Sequence, residues 1–331
     1  MKKLISTIMV IIVLCIMLSL DVNATETANN TPTEPTETTT EPTTEAVTEV
    51  ITETATDITT EAALETASKN TATSNSKKKT VKKVMSYKNG KKGLKKLKKK
   101  LQKQIKAYRG TQSIYVKNLK TNEWMVINNK NIRPASTIKL YNMATIYDQI
   151  SKGKLKEDSY VKSQLKSMIT VSSNDAYNNL LIKMGKGNPA KGIRLINKFC
   201  KKHGYKSTEA GGTLSPSSTR NRCWLLRSHT TVKDLGHILE DIYRGQLVSK
   251  KASKKMLKYL KAQERRGKIP AGLPRGVKSA NKTGEYGPYQ HDAAIVFSKK
   301  ADYIIVVMTD SDGAAISHIQ SISRTVYKYF N

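Results

Sequence analysis

"RPASTIKLYNM", Arg133 to Met143, is the stretch on which the fold of this chain turns. It is an apolar, helix-like run in which Ser136 and Lys139 stand three residues apart. That spacing is close to one helical turn, so the hydroxyl and the amine share a face. A serine beside a lysine that has lost its proton is an activated nucleophile. The chain carries 58 Lys and Arg among 331 residues, so the spacing alone is also what composition would give: a helix start with a surface lysine. The pair gains meaning from what stands further along.

Two more short motifs follow it. "SSN" is Ser172-Ser173-Asn174, and "KTG" is Lys282-Thr283-Gly284, in a stretch that reads as a strand. Each is weak by itself, but the chemistry of the three is complementary. Ser136 follows Pro134 near a helix N-terminus, where the helix end favours developing negative charge. Lys139, partly desolvated and beside another cation, can shed its proton and act as a base. Ser172 can relay a proton to a leaving group, and Asn174 can hold a substrate amide. Lys282 supplies positive charge that binds a carboxylate and depresses the pKa of its neighbours. The strand bearing Thr283 and Gly284 can offer a backbone N–H to an oxyanion, alongside the N–H of Ser136.

In this order the three motifs resemble those of the class A β-lactamases and penicillin-binding proteins. From about Leu94 to the C-terminus the chain is similar to the class A β-lactamase-like branch of the penicillin-recognising serine hydrolases. "ITVSSNDAYNNLL", "TTVKDLGHIL" and "KIPAGLPRGVKSANKTGE" carry the likeness beyond the motifs. The resemblance implies an acyl-enzyme at Ser136 with Lys139 and Ser172 as its catalytic partners. It implies substrate binding by Asn174, Lys282, Thr283 and Gly284, a β-lactam or peptidoglycan-type peptide as substrate, and no cofactor or metal. Four departures qualify it. Ser173 replaces the family's usual Asp. The family's deacylating glutamate precedes a proline in the omega loop, but here Ser215 precedes Pro216 and no acidic residue lies between Ala210 and Thr231. Glu209 is the nearest, but it is upstream of that place and reads rather as a surface loop residue. Gln290 and His291 stand where an arginine for the substrate carboxylate is usual, and Glu285 would repel a carboxylate unless it points away. The segment between the first two motifs is also shorter than the family's.

The pattern of elements agrees with an α+β, β-lactamase/DD-peptidase-like fold. "TQSIYVKNL" and "EWMVINN" alternate apolar and polar residues around a "KTNE" turn and predict a hairpin. Helices fill the middle, with Pro189 opening and Gly204 closing one of them. Strands return at "GVKSANKTGE", "HDAAIVFS" and "DYIIVVMTD" before a last helix. Early and late strands are expected to form one antiparallel sheet, flanked by helices and an inserted helical subdomain. No dinucleotide glycine motif and no P-loop is present.

The N-terminal part reads differently. Residues 1–24 have the lysines, apolar core and small residues of an export signal. An uncleaved anchor is the alternative, though the apolar run is slightly short for a span of about 20 residues. Residues 25–76 are a Thr/Glu-rich spacer too polar to bury a core. Residues 77–92 are a Lys-rich tether, and the domain begins near Gly93 with an amphipathic helix through Leu94, Leu97, Leu101 and Ile105. A net charge of +32 favours anionic neighbours such as cell-wall polymers. With 6% aromatic residues and no basic-aromatic module, specific nucleic-acid binding is not expected. Cys200 and Cys223 remain after the signal, and their spacing does not say whether they pair. The expected function is an exported, cell-surface serine hydrolase, slow to deacylate. The alternative is a surface-displayed wall-binding protein that keeps the fold with little chemistry.

Overall fold

The computed structural model describes residues 92–310 and 314–331. The expected signal, spacer and all of the tether except Lys92 lie outside the described residues. Eight helices and five strands follow. The amphipathic helix α1 (Lys95–Ile105) precedes the hairpin β1 (Gln112–Asn118) and β2 (Trp124–Ile127). Helices α2 (Lys139–Ser151), α3 (Ser159–Thr170), α4 (Asn174–Met184) and α5 (Pro189–His203) come next. A long loop leads to α6 (Val232–Tyr243) and α7 (Lys250–Lys261). Strands β3 (Lys278–Tyr286), β4 (Tyr289–Phe297) and β5 (Tyr303–Thr309) precede α8 (Ala315–Phe330).

The strands form one antiparallel sheet in the order β2-β1-β5-β4-β3, so the early hairpin and the late strands do join. β5 shows why the sheet is buried on both faces. Successive side chains point to opposite sides. Tyr303, Ile305 and Val307 pack with Leu97 and Leu101 of α1 and with Ile319, Ile322 and Val326 of α8. Ile304, Val306 and Met308 pack toward the helical layer on the other face. A strand covered on both sides reads as a continuous apolar run, as "YIIVVM" does. On that second face Gly236 lets α6 approach the sheet, since a Cβ there would lie 2.3 Å from the Tyr115 ring. Lys117 of β1 and Glu240 of α6, both buried, pair at 2.8 Å.

The helical layer centres on α2, whose residues are buried from Lys139 to Gln149. Leu140, Tyr141, Met143, Ala144, Ile146 and Tyr147 place it in the core, with polar Asn142 and Thr145 buried among them. Its neighbours start where polar caps say they should. Asp158, Ser173, Asn188, Thr231 and Ser249 each accept a hydrogen bond from a backbone N–H in the first turn of their helices. Cys200 is buried in α5, Cys223 lies in the long loop, and the two are not bonded.

Candidate active site

β3 is an edge strand, and its free side lies against the 3-10 turn Ala135–Ile138 that carries Ser136. The approach is close enough to favour glycine at position 284. A Cβ there would sit 3.0 Å from the Pro134 carbonyl oxygen and 3.1 Å from Thr137 Cγ2. The turn is entered through Ala135 at φ 46°, a left-handed conformation that costs an L-residue energy and needs support. His291 of β4 supplies some of it. Its Nδ1 accepts from the Thr309 N–H at 3.3 Å, so its Nε2–H is free to donate to the Arg133 carbonyl at 2.8 Å. Burial pushes the His291 pKa down to about 4, and the ring stays neutral in this role.

Lys139 opens α2 with no exposed surface. Its Nζ lies 2.9 Å from Ser136 Oγ, 2.7 Å from the Ser172 carbonyl oxygen, 2.8 Å from Asn174 Oδ1 and 3.3 Å from Ser172 Oγ. Burial above all, then the charges of Lys282 and Arg265, hold its pKa well below the ordinary lysine value. Ser172 adopts φ 65°, which turns its hydroxyl between the two lysines. Lys282, fully buried, donates to Ser172 Oγ at 2.8 Å and to the Thr283 carbonyl at 2.9 Å. Its pKa falls to about 7, mainly through burial. Asp292 opposes that fall and Arg265 and Lys268 add to it. The three sequence motifs are therefore linked through the Lys139 amine and the Ser172 hydroxyl.

The long loop closes the other side. The Ser215–Pro216 peptide is cis, and Asn174 Nδ2 donates to the Pro216 carbonyl at 3.1 Å, which aims Oδ1 of the same amide at Lys139. Asn178 exchanges two hydrogen bonds with Leu214, both at 2.9 Å. Asp175 accepts from the Ser217 hydroxyl, from the Ser218 N–H at 2.7 Å and from the Thr219 N–H at 3.3 Å. Those bonds, that from Ser217 first, lower its pKa. Between loop and serine turn lies a cleft of about 720 Å³, walled by Arg133 to Ala135, Thr213 to Pro216, Trp224, Leu226 and Tyr286. No described residue lining it is acidic. Glu209 is elsewhere, bridged to His229 and lining a separate pocket with Asn197 and Lys201. The described residues hold no group of three His, Cys, Asp or Glu suited to a metal.

Comparison with known proteins gives the same placement. The model of the beta-lactamase enzyme family matches residues 96–166 and 159–330. The chain belongs to that family. Among solved structures, PBP-A is 21% identical with TM-score 0.63, covering 72% of this chain and 96% of its own. A mutant of PBP-A, solved as an acyl-enzyme complex with penicillin-G, is 20% identical with TM-score 0.63 over 72% of this chain and 97% of its own. The ancestral (GNCA) class A β-lactamase is 21% identical with TM-score 0.62 over 71% of this chain and 100% of its own. These similarities show the class A β-lactamase-like fold. No curated protein matches the chain.

Several residues of this family member's site escape a reading of motifs. Asp175, Asn178 and His291 fix the loop and the serine turn. Arg265 and Lys268 form a cationic rim beside β3. Glu285 is turned toward them, with Oε1 3.0 Å from Lys268 Nζ and Oε2 3.4 Å from Arg265 Nη1. The polar run "NDAYNN" and a loop rich in small polar residues hint at the α4 anchor, whereas nothing marks Arg265 or Lys268 among so many cations.

Proposed function

We propose that this chain is an exported serine hydrolase that forms an acyl-enzyme at Ser136 with a β-lactam or a cell-wall peptide amide, and releases it slowly. The arrangement around Lys139 carries the reading. A neutral amine has two N–H bonds and one lone pair. The Ser172 carbonyl and Asn174 Oδ1 can only accept, so they take the two hydrogens, at 2.7 and 2.8 Å. The lone pair is left for the Ser136 hydroxyl at 2.9 Å. The low pKa of Lys139 keeps that lone pair available.

Ser136 Oγ adds to the substrate carbonyl as its proton passes to Lys139. The oxyanion is held by the Ser136 N–H and an N–H on the free edge of β3. The proton then moves from Lys139 through Ser172, which Lys282 orients, to the leaving nitrogen. Collapse breaks the C–N bond and leaves the ester on Ser136. The acyl group lies toward Trp224, Leu226 and Tyr286. Water must attack next with no carboxylate in the cleft to deprotonate it. Lack of a positioned general base costs about 10²- to 10⁴-fold. The penicillin-G acyl-enzyme of the PBP-A mutant supports a β-lactam as acylating agent. The exposed lysines of α1, among them Lys96, Lys99 and Lys103, support contact with anionic wall polymers at the cell surface.

The acid-free cleft also favours a second reading, a binding protein with little turnover. A fluorescent penicillin distinguishes them. Full-length protein is expected to label and to stay labelled for hours, while Ser136→Ala does not. Equal absence of label in both proteins would refute acylation by β-lactams.

A further inference from the structure

The rim beside β3 is already occupied by a carboxylate of the protein itself. Glu285 directly follows the Gly284 that touches the serine turn. Lys268 is nearly buried, its side chain 3% exposed, and its three N–H bonds are all committed. Two go to the carbonyls of Gly284 and His291, at 3.2 and 3.3 Å, and the third goes to Glu285 at 3.0 Å. Arg265 spends its Nε–H on the Val171 carbonyl at 3.1 Å and turns Nη1 to Glu285. The Glu285 side chain is 42% exposed, so a solute can reach it. Burial works to raise its pKa, but Lys268 and Arg265 outweigh burial and keep it ionised.

We propose that Glu285 is a specificity-determining residue: it holds Lys268 and Arg265 against an incoming carboxylate, so the site favours acyl donors whose group beside β3 is an uncharged amide or ester. The inference rests on the reading that Ser136 is acylated and adds which substrates arrive best. A donor with a carboxylate at that position must displace Glu285 or lie beside a like charge. Both lower its binding relative to a neutral analogue. A donor with a neutral end leaves the Glu285–Lys268–Arg265 contacts intact.

The test compares benzylpenicillin, an anion, with its uncharged methyl ester on full-length protein. The readout is the ratio of their second-order rate constants for labelling Ser136. Glu285→Gln keeps the size of the side chain and a hydrogen-bond acceptor for Lys268, and is expected to raise the anion-to-ester ratio by about tenfold or more. Glu209→Gln makes the same change in net charge away from the site and should leave the ratio within about twofold. A ratio that stays flat or falls in Glu285→Gln, or one that rises equally in Glu209→Gln, overturns the proposal. A parallel measurement does not need acylation: equilibrium binding of both compounds to Ser136→Ala, with and without Glu285→Gln. If wild-type protein takes no label from either compound, the acylation reading fails, and this binding ratio still decides the role of Glu285. A rise supports that role, and no rise ends it.

Discussion

Replacing Lys282 by methionine should change stability and reactivity in opposite senses across the alkaline range. Lys282 is fully buried, and its pKa falls from 10.5 to about 7. Below pH 7 the folded and unfolded chains both carry this ammonium, and its contribution has no pH slope. Between about 7 and 10.5 the unfolded chain binds a proton that the folded chain has lost. Stability therefore rises with pH in that window. At about 1.36 kcal/mol per pH unit, the full span is about 5 kcal/mol. Lys282→Met lacks the group, so its stability relative to wild type should decline by about that amount from pH 7 to 10.5. Lys139 adds to the effect with the same sign. It loses a cationic neighbour in the variant, its pKa climbs toward the ordinary value, and the variant's own alkaline gain shrinks. Urea unfolding at several pH values from 6 to 10 measures the difference directly.

Reactivity should follow the same charges. In wild type, penicillin labelling should need neutral Lys139 and charged Lys282, giving a bell whose alkaline limb lies near pH 7. In Lys282→Met labelling should be weaker throughout, the residual rate should lose its alkaline limb, and its acid limb should move upward because Lys139 holds its proton longer. Parallel stability curves for the two proteins, or an acid limb that stays in place, would refute the electrostatic coupling of the two lysines.

Two further outcomes are expected. Ser215 is exposed and lines the cleft, so Ser215→Glu should tolerate its carboxylate and shorten the lifetime of the penicillin label by at least about 100-fold, read as loss of label after a chase; an unchanged lifetime would show that the position is too far from the ester. His291, buried and with its pKa lowered from 6.5 to about 4, should contribute stability that is complete above pH 6.5 and lost as pH falls toward 4, by about 3 kcal/mol; His291→Gln should flatten that part of the pH–stability curve.

The motifs were legible because they combine residue types whose chemistry leaves few readings. A Ser–Lys pair, a second serine and a second lysine on a strand make sense together, and the structure links them through hydrogen bonds. The helices were legible for a related reason: Thr231, Asn188 with Pro189, and Gly204 act locally, within one turn of where they stand. Contacts across the chain left less trace. Asp175 and Asn178 stand in the polar run "NDAYNN", which only hints at an anchor, and the fold shows that the loop of Leu214 to Thr219 hangs from them. Arg265 and Lys268 are two of 58 basic residues, and their roles come from being brought to the edge of β3. His291 could be seen as a departure from an expected arginine. Its hold on Arg133 depends on strand register, which pairs it with Gly284 and Met308 and which no motif encodes.

The loop at Ser215 is held too firmly to be a loop that has merely lost its purpose. Asn174, Asp175 and Asn178 all bind it, and Asn174 does so with the same amide that orients Lys139. The wall of the cleft and Lys139, the base in the proposed mechanism, are thus one hydrogen-bonded unit. What the loop lacks is a group to take a proton from water. In the mechanism proposed above, Lys139 would have to serve again, since it regains its lone pair once its proton has left with the amine product. Lys139 is buried, at 0% exposure, and is not among the residues that line the cleft. In that proposed mechanism, slow release then follows from the burial of Lys139 as much as from the missing carboxylate, and an acid placed at Ser215 would stand in the cleft, where Lys139 does not.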